Sequence, residues 1–167
     1  MAVDMYLKLD DVKGEAKGSG HKEEIDILSW SWIAAQQGTG SQGGGSGTGK
    51  VETLDIEVKK WVDRASPVLY KYCCKGTHLN EALITVRKAG DTPLEYMKVT
   101  LRDIIITGFT TGGVVPGDDR LQETVRLNFK KVFVAYSPQV KGGAGDAETG
   151  GGFNLESGLE WDGKSDD

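Results

Sequence analysis

Few residues in this sequence have the types and spacing that chemistry needs. The most suggestive are Gly44 to Lys50, GGSGTGK, which match the G-x-x-x-x-G-K spacing of a phosphate-cradling loop. That chemistry also requires a Ser or Thr after the lysine to ligate magnesium, and a helix whose N-terminus faces the phosphates. Val51 stands in the Ser/Thr place, and Val51 to Trp61 alternates as a strand does. The run therefore reads as a flexible loop. The two histidines, His21 and His78, sit in polar sequence, outside any motif that would place them beside a serine or cysteine. Both read as solvated side chains. Cys73 and Cys74 are adjacent, closer than metal-binding thiolates are usually spaced, and read as small core-compatible residues of a reducing compartment. The acidic pairs Glu23-Glu24 and Asp118-Asp119 read as strand-edge and turn charges, with Asp118-Asp119-Arg120 a surface ion-pairing element. No catalytic, cofactor-binding or metal-ligating residue is expected.

The elements that position these residues are mostly strands. Val3, Met5, Leu7 and Leu9 alternate with Asp4, Tyr6 and Lys8, which predicts a first strand, followed by a polar loop from Asp10 to Lys22. Glu24 to Ala35 predicts a second, with Ile25, Ile27, Ser29, Ser31 and Ile33 on one face and Leu28, Trp30 and Trp32 on the other. Apolar groups on both faces mean a strand covered on both sides, or one whose small hydroxyls line a lumen. Leu54, Ile56 and Val58 share a face of a third strand. Ser66-Pro67 reads as an N-cap with proline at the first helical position, and Gly76 ends a helix over Pro67 to Lys75.

Beyond the helix the patterning returns to β. Ala82 to Lys88 and Leu94 to Ile106 flank Gly90-Asp91-Thr92-Pro93, a hairpin signal. Leu121 to Tyr136 predicts one long strand whose phase slips at Lys130-Lys131, as at a bulge turning a barrel or sandwich corner. Phe153-Asn154-Leu155 predicts a short closing strand. The fold class expected is all-β, a β-barrel or two-sheet sandwich with one short flanking α-helix.

Composition narrows the function. The 167 residues suit one domain, 1–167, with 36–50 as an extended Gly-rich loop and 137–167 as a flexible tail containing that short strand. The 24 glycines gather in loops between well-patterned segments. A net charge of −5 supplies no general cationic field for nucleic acid or anionic membranes. Trp30 and Trp32 lack the interleaved Arg or Lys of a base-stacking surface. The opening residues show no basic region followed by an apolar core, so folding in the cytoplasm and export without a cleavable leader are expected. Strand edges and two-sided apolar strands need partners, which a symmetric ring supplies at every position.

In chain order, MAVDMYLKLDDVKGEAK (Met1 to Lys17), HKEEIDILSWSW (His21 to Trp32), LITVRKAG (Leu83 to Gly90), EYMKVTLRDIIIT (Glu95 to Thr107), TTGG (Thr110 to Gly113) and DDRLQETVRLNF (Asp118 to Phe129) resemble the Hcp (haemolysin-coregulated protein) family. The resemblance implies a tube protein of type VI secretion, a small barrel closing into homo-hexameric rings. Such rings stack into a tube inside a contractile sheath, on a baseplate and behind a VgrG-like spike, with small effector proteins in the lumen. By analogy, Gln36 to Lys50 reaches an adjoining ring or subunit, with Gln42, Gly44, Gly47 and Lys50 as contact positions, and Ser29 and Ser31 face the lumen. Some members of the family carry a C-terminal toxin domain; the residues after Tyr136 are too few and too glycine-rich for one. A tail-tube protein of a phage-like particle and a non-tube effector-binding module are the alternative readings.

Overall fold

The computed structural model describes residues 3–36, 51–88, 90, 93–114, 119–139 and 145–165. Its architecture follows from one long hairpin. β6 (His78–Lys88) and β7 (Leu94–Thr111) pair antiparallel from Lys88↔Leu94 to His78↔Ile105, as the Gly90 to Pro93 signal predicts. β1 (Val3–Leu9) adds to the free edge of β6, and β2 (Ile25–Ser31) adds to β1. β5 (Ile56–Trp61) follows β2, and β8 (Gln122–Asn128) follows β5. Because β8 also pairs with Ile105 to Thr111 of β7, the six strands β1-β2-β5-β8-β7-β6 close into a barrel. Closure leaves none of these strands with a fully open edge, the usual liability of an all-β fold.

The barrel interior is filled from every strand. Leu7, Ile25, Ile56, Val58, Ile84, Val99, Leu101, Ile104, Ile106 and Leu127 are all buried. The sequence between Leu121 and Tyr136 forms two strands instead of one. β8 ends at Asn128, and β9 (Lys131–Tyr136) pairs with Met97 to Arg102 of β7, outside the barrel. The predicted slip at Lys130-Lys131 is real, and β7 matches it: buried positions pass from Val99 and Leu101 to Ile104 and Ile106 across Asp103, whose φ is 52°. Aspartate tolerates the left-handed region better than most residues. β10 (Thr149–Asn154) and β11 (Leu159–Glu160) extend the sheet beyond β9. Trp161 is buried there, edge-on to Phe133, with its Nε1 donating to the Ser165 carbonyl. β3 (Ala34–Ala35) and β4 (Glu52–Thr53) pair with each other as a separate two-stranded ribbon.

The helix α1 (Ser66–Lys75) runs to Gly76, which takes φ 61° and donates its N–H to the Cys73 carbonyl. Its start differs from the sequence reading. The cap position is Ala65, without a side-chain capping bond, and Asp63 Oδ1 accepts from the Ala65 N–H at 2.9 Å. Ser66 is instead buried in an ionic cluster. Lys60 Nζ, fully buried on β5, donates to Glu123 Oε1 at 2.6 Å, to Asp63 Oδ1 at 2.8 Å and to the Trp61 carbonyl at 2.7 Å. Ser66 Oγ donates to the same Glu123 oxygen at 2.6 Å. An ammonium in a core survives only with a counter-charge and satisfied N–H groups, and this cluster supplies both. It also joins α1 to β5 and β8, setting Leu69 into the core.

Breaking the buried pair on one side strands a charge. Lys60→Met should lower stability by about 3–5 kcal/mol in urea denaturation. The double variant Lys60→Met, Glu123→Leu should recover most of that loss. Equal stability of the two variants would show that the ion pair itself is not what the cluster depends on.

Candidate functional site

The outer wall of β2, β5 and β8 is a polar face of the barrel. Its character comes from an irregularity in β2. Ile27 pairs with Lys60 and Ser29 with Lys59, so Leu28 is the extra residue of a bulge. Before the bulge Ile25 and Ile27 are buried; after it Trp30 and Trp32 pack against the core, and Ser29 and Ser31 are exposed. The strand is therefore not apolar on two faces. Its phase changes once, and the tryptophans share the core side with Ile25 and Ile27 instead of opposing them.

Ser29 stands opposite Lys59 and Ser31 opposite Glu57. Glu57 in turn faces Arg126 of β8, whose Nε lies 3.2 Å from Glu57 Oε2. Small hydroxyls, Lys59 and the Glu57–Arg126 pair thus stand on the wall. At one end it meets a groove of about 440 Å³ lined by Ser31, Trp32, Ile33, Leu54 and Asp55. Ile33 and Leu54 are exposed, so Leu54 does not follow Ile56 and Val58 inward as its alternation predicts. Asp55 accepts from Thr107 Oγ1 and from Asn128 Nδ2, tying the lip of the groove to β7 and the end of β8. Gln42, Gly44, Gly47 and Lys50 lie outside the described residues, between β3 and β4.

The opposite end of the wall is electrostatically strained. Glu15, Lys17, Asp26, Asp63, Trp61 and Arg120 border a second hollow, with the Arg120 guanidinium over the Trp61 ring at 4.7 Å. Desolvation pushes the Asp26 carboxyl above its ordinary value, the like charges of Asp63 and Asp4 push it further, and Arg120 opposes them. Asp118 lies outside the described residues.

The remaining sequence candidates are placed as follows. His78 opens β6 and is exposed, whereas His21 is buried, against the solvated reading given it by its polar neighbours. Its ring nitrogens lie 2.8 Å from Glu24 Oε2 and 3.0 Å from Glu95 Oε1, and its plane stacks on Tyr6 at 4.2 Å. A polar loop folded back onto a strand gives no periodic signal, which is why the sequence hid it. Cys73 is half-buried against the core, but Cys74 is exposed and is not the core residue expected. Among the described residues no cluster of three or more His, Cys, Asp or Glu could hold a metal ion, and no helix is long and apolar enough to cross a membrane.

Comparison with known proteins decides what this barrel is. Residues 6–136 match the family model described as "Type VI secretion system effector, Hcp". The chain belongs to the Hcp family. It is 44% identical over 147 residues to protein hcp1 of Pseudomonas aeruginosa strain PAO1, covering 87% of this chain and 90% of that one. The crystal structure of Hcp1 from Salmonella typhimurium is similar at TM-score 0.80 and 36% identity, covering 96% of this chain and all of that chain. A structure titled as a type six secretion system protein reaches TM-score 0.91 at 27% identity, with the same coverage. The Hcp match spans β1 to β9, which is the barrel plus the first strand of its extension.

The strained carboxylate gives a test of the wall's electrostatics. Asp26 is charged at neutral pH against a raised folded value, so it opposes folding there and ceases to as pH falls through that value. Asp26→Asn should therefore be the more stable protein at pH 7, with the difference shrinking toward pH 3.5. Thermal midpoints measured across that range check it, and a variant less stable at pH 7 would contradict it.

Proposed function

We propose that this chain is a structural subunit of the type VI secretion tube and that its chemistry is assembly, not catalysis. The observation that carries the reading is the Hcp family match running through every barrel strand. In this reading six copies close into a ring, rings stack within a contractile sheath, and the tube leaves the cell behind a VgrG-like spike.

The physical requirements of such a subunit fit what the barrel offers. A ring needs each protomer to present two different patches that meet around a closed rotation, typically burying about 1,200–2,000 Å² per contact. A closed barrel with a sheet extension supplies a rigid body and a strand edge at β11. We assign the β2-β5-β8 wall, with Ser29 and Ser31, to the lumen. A hydroxyl-and-charge surface stays hydrated, and so lets small effectors pass without adhering as they would to exposed tryptophan. The Gly-rich segment with Gln42, Gly44, Gly47 and Lys50 is assigned to contact with the adjoining ring. Ordering a glycine-rich loop carries an entropy cost, which keeps stacking weaker than ring closure.

The purified protein should run in solution as a particle of six 18.0-kDa chains, about 108 kDa, and show six-fold rings with an open centre by negative stain. A gold cluster coupled to Ser29→Cys, in a background lacking Cys73 and Cys74, should appear at the ring's centre. Gold on the outer rim would overturn the lumen assignment while leaving the ring intact. A monomer at all concentrations would overturn the tube reading itself.

A further inference from the structure

The barrel reading makes no use of His21, yet the histidine is buried between two carboxylates. It sits in the loop between β1 and β2, nine-tenths buried, and each ring nitrogen faces a carboxylate oxygen. Carboxylates only accept hydrogen bonds, and a neutral imidazole has one N–H and one lone pair. Two good bonds to two carboxylates therefore need protons on both nitrogens. Lys98, hydrogen-bonded to Glu95 at 2.9 Å, holds that carboxyl below the usual carboxylate range against the effect of burial, with His21 adding to it. Glu95 is thus an ionised acceptor, and a carboxylate at each ring nitrogen makes the ring a donor on both sides.

The rest of the surroundings keep the ring in place. Tyr6 of β1 stacks on it within 7° of parallel. Arg87 of β6 lies over the Tyr6 ring, donates to Tyr6 Oη at 2.7 Å and to the Ser19 carbonyl at 3.0 Å, and pairs with Asp4 at 3.0 Å. Gly18 runs so close to Tyr6 that a Cβ there would stand 2.3 Å from its hydroxyl oxygen. Facing His21 are then Tyr6, and behind it Arg87 and Asp4; Glu24 from its own loop; and Glu95, and behind it Lys98, from β7. Of these contacts, only the bridge Glu24–His21–Glu95 clips the loop to β7.

We propose that His21 is a proton-operated latch. As an imidazolium it clips the 13–24 loop to β7, and loss of its second proton turns one nitrogen's lone pair toward a carboxylate and releases the loop from β7, leaving Arg87 and Arg64 to hold it at Ser19, Lys13 and Glu23. The loop carries Glu15 and Lys17 to the hollow beside Asp26 and Asp63, so the latch sets the shape and charge of that end of the wall. The device responds to alkalinity. Its contribution is complete while both ring nitrogens carry protons and is lost when one of them leaves, the sign expected of a cation held by anions.

The test is amide hydrogen exchange on the whole protein from pH 6 to 9, corrected for the intrinsic rise in rate. The amides of Gly14, Ala16, Glu23 and Glu24, bonded within the loop, should lose protection by about tenfold, the order expected for losing one hydrogen bond to a charged group. Those of Ile84 and Val99 in the barrel should not change. Nitrogen NMR of the ring should show both nitrogens protonated at pH 6. His21→Gln should give low loop protection at every pH. Glu95→Gln should keep the protection and abolish the step, since the new amide can donate to a neutral ring. A wild-type loop equally protected across the range, or a Glu95→Gln protein that keeps the step, would overturn the latch.

Discussion

The structure depends on β7 serving two sheets with one strand. Of its 18 residues, Leu94 to Ile105 pair along one side with β6, and along the other side the strand pairs first with β9 and then with β8. A regular strand cannot do this and keep one apolar face inward, because the partners lie on diverging surfaces. Asp103 resolves the conflict. At φ 52° it shifts the buried set from Val99 and Leu101 to Ile104 and Ile106, while the chain opposite passes from β8 to β9 through Phe129 and Lys130. The Lys130 N–H donates to the Arg102 carbonyl beside it, so the corner keeps its backbone bonds. Barrel closure and the sheet extension are therefore one constraint seen from its two ends.

Charged residues inside this body are consequences of the same geometry. β5 and β8 pair Lys60 with Glu123 where the helix folds over the barrel end, so both side chains lie beneath α1. Their residue types hide the burial that alternation implies, with Lys60 in phase with Ile56 and Val58 and Glu123 in phase with Val125 and Leu127. Only the cross-strand register shows that Lys60 meets a carboxylate and a serine. Ser66 makes the same point at smaller scale. Its position before proline suggests a cap, but the hydroxyl is more valuable to a buried Glu123 than to a helix end that Asp63 already serves.

What the sequence makes legible is what alternation and turn chemistry carry locally. β1, β5, the β6–β7 hairpin and the helix ending at Gly76 all lie where the patterning places them. The slip at Lys130-Lys131 is visible too, though its meaning as a change of partner is not, since pairing is non-local. Leu28 is the instructive failure. Read with a strict period of two, Ile25 through Ile33 puts serines with isoleucines and tryptophans against them; one extra residue reverses the second half. His21 fails for a different reason. Nothing in HKEE marks a histidine whose partners are a residue three places on and another 74 places away.

The Leu28 bulge matters beyond the reading of β2. Without it, Trp30 and Trp32 would stand on the outer wall and Ser29 and Ser31 in the core, leaving buried hydroxyls to be satisfied and a large apolar patch exposed. With it, Trp32 packs edge-on to Phe129 at the β8 corner, and the wall keeps hydroxyls and charges, with Glu57 paired to Arg126. A subunit that must present one face to water and others to copies of itself needs those faces kept chemically distinct along each strand. In this barrel the separation comes from irregularities: Leu28 on β2, Asp103 on β7 and the break before Lys131. Each converts a mixed strand into two clean ones, so regularising the strands would blur the surfaces on which any assembly depends.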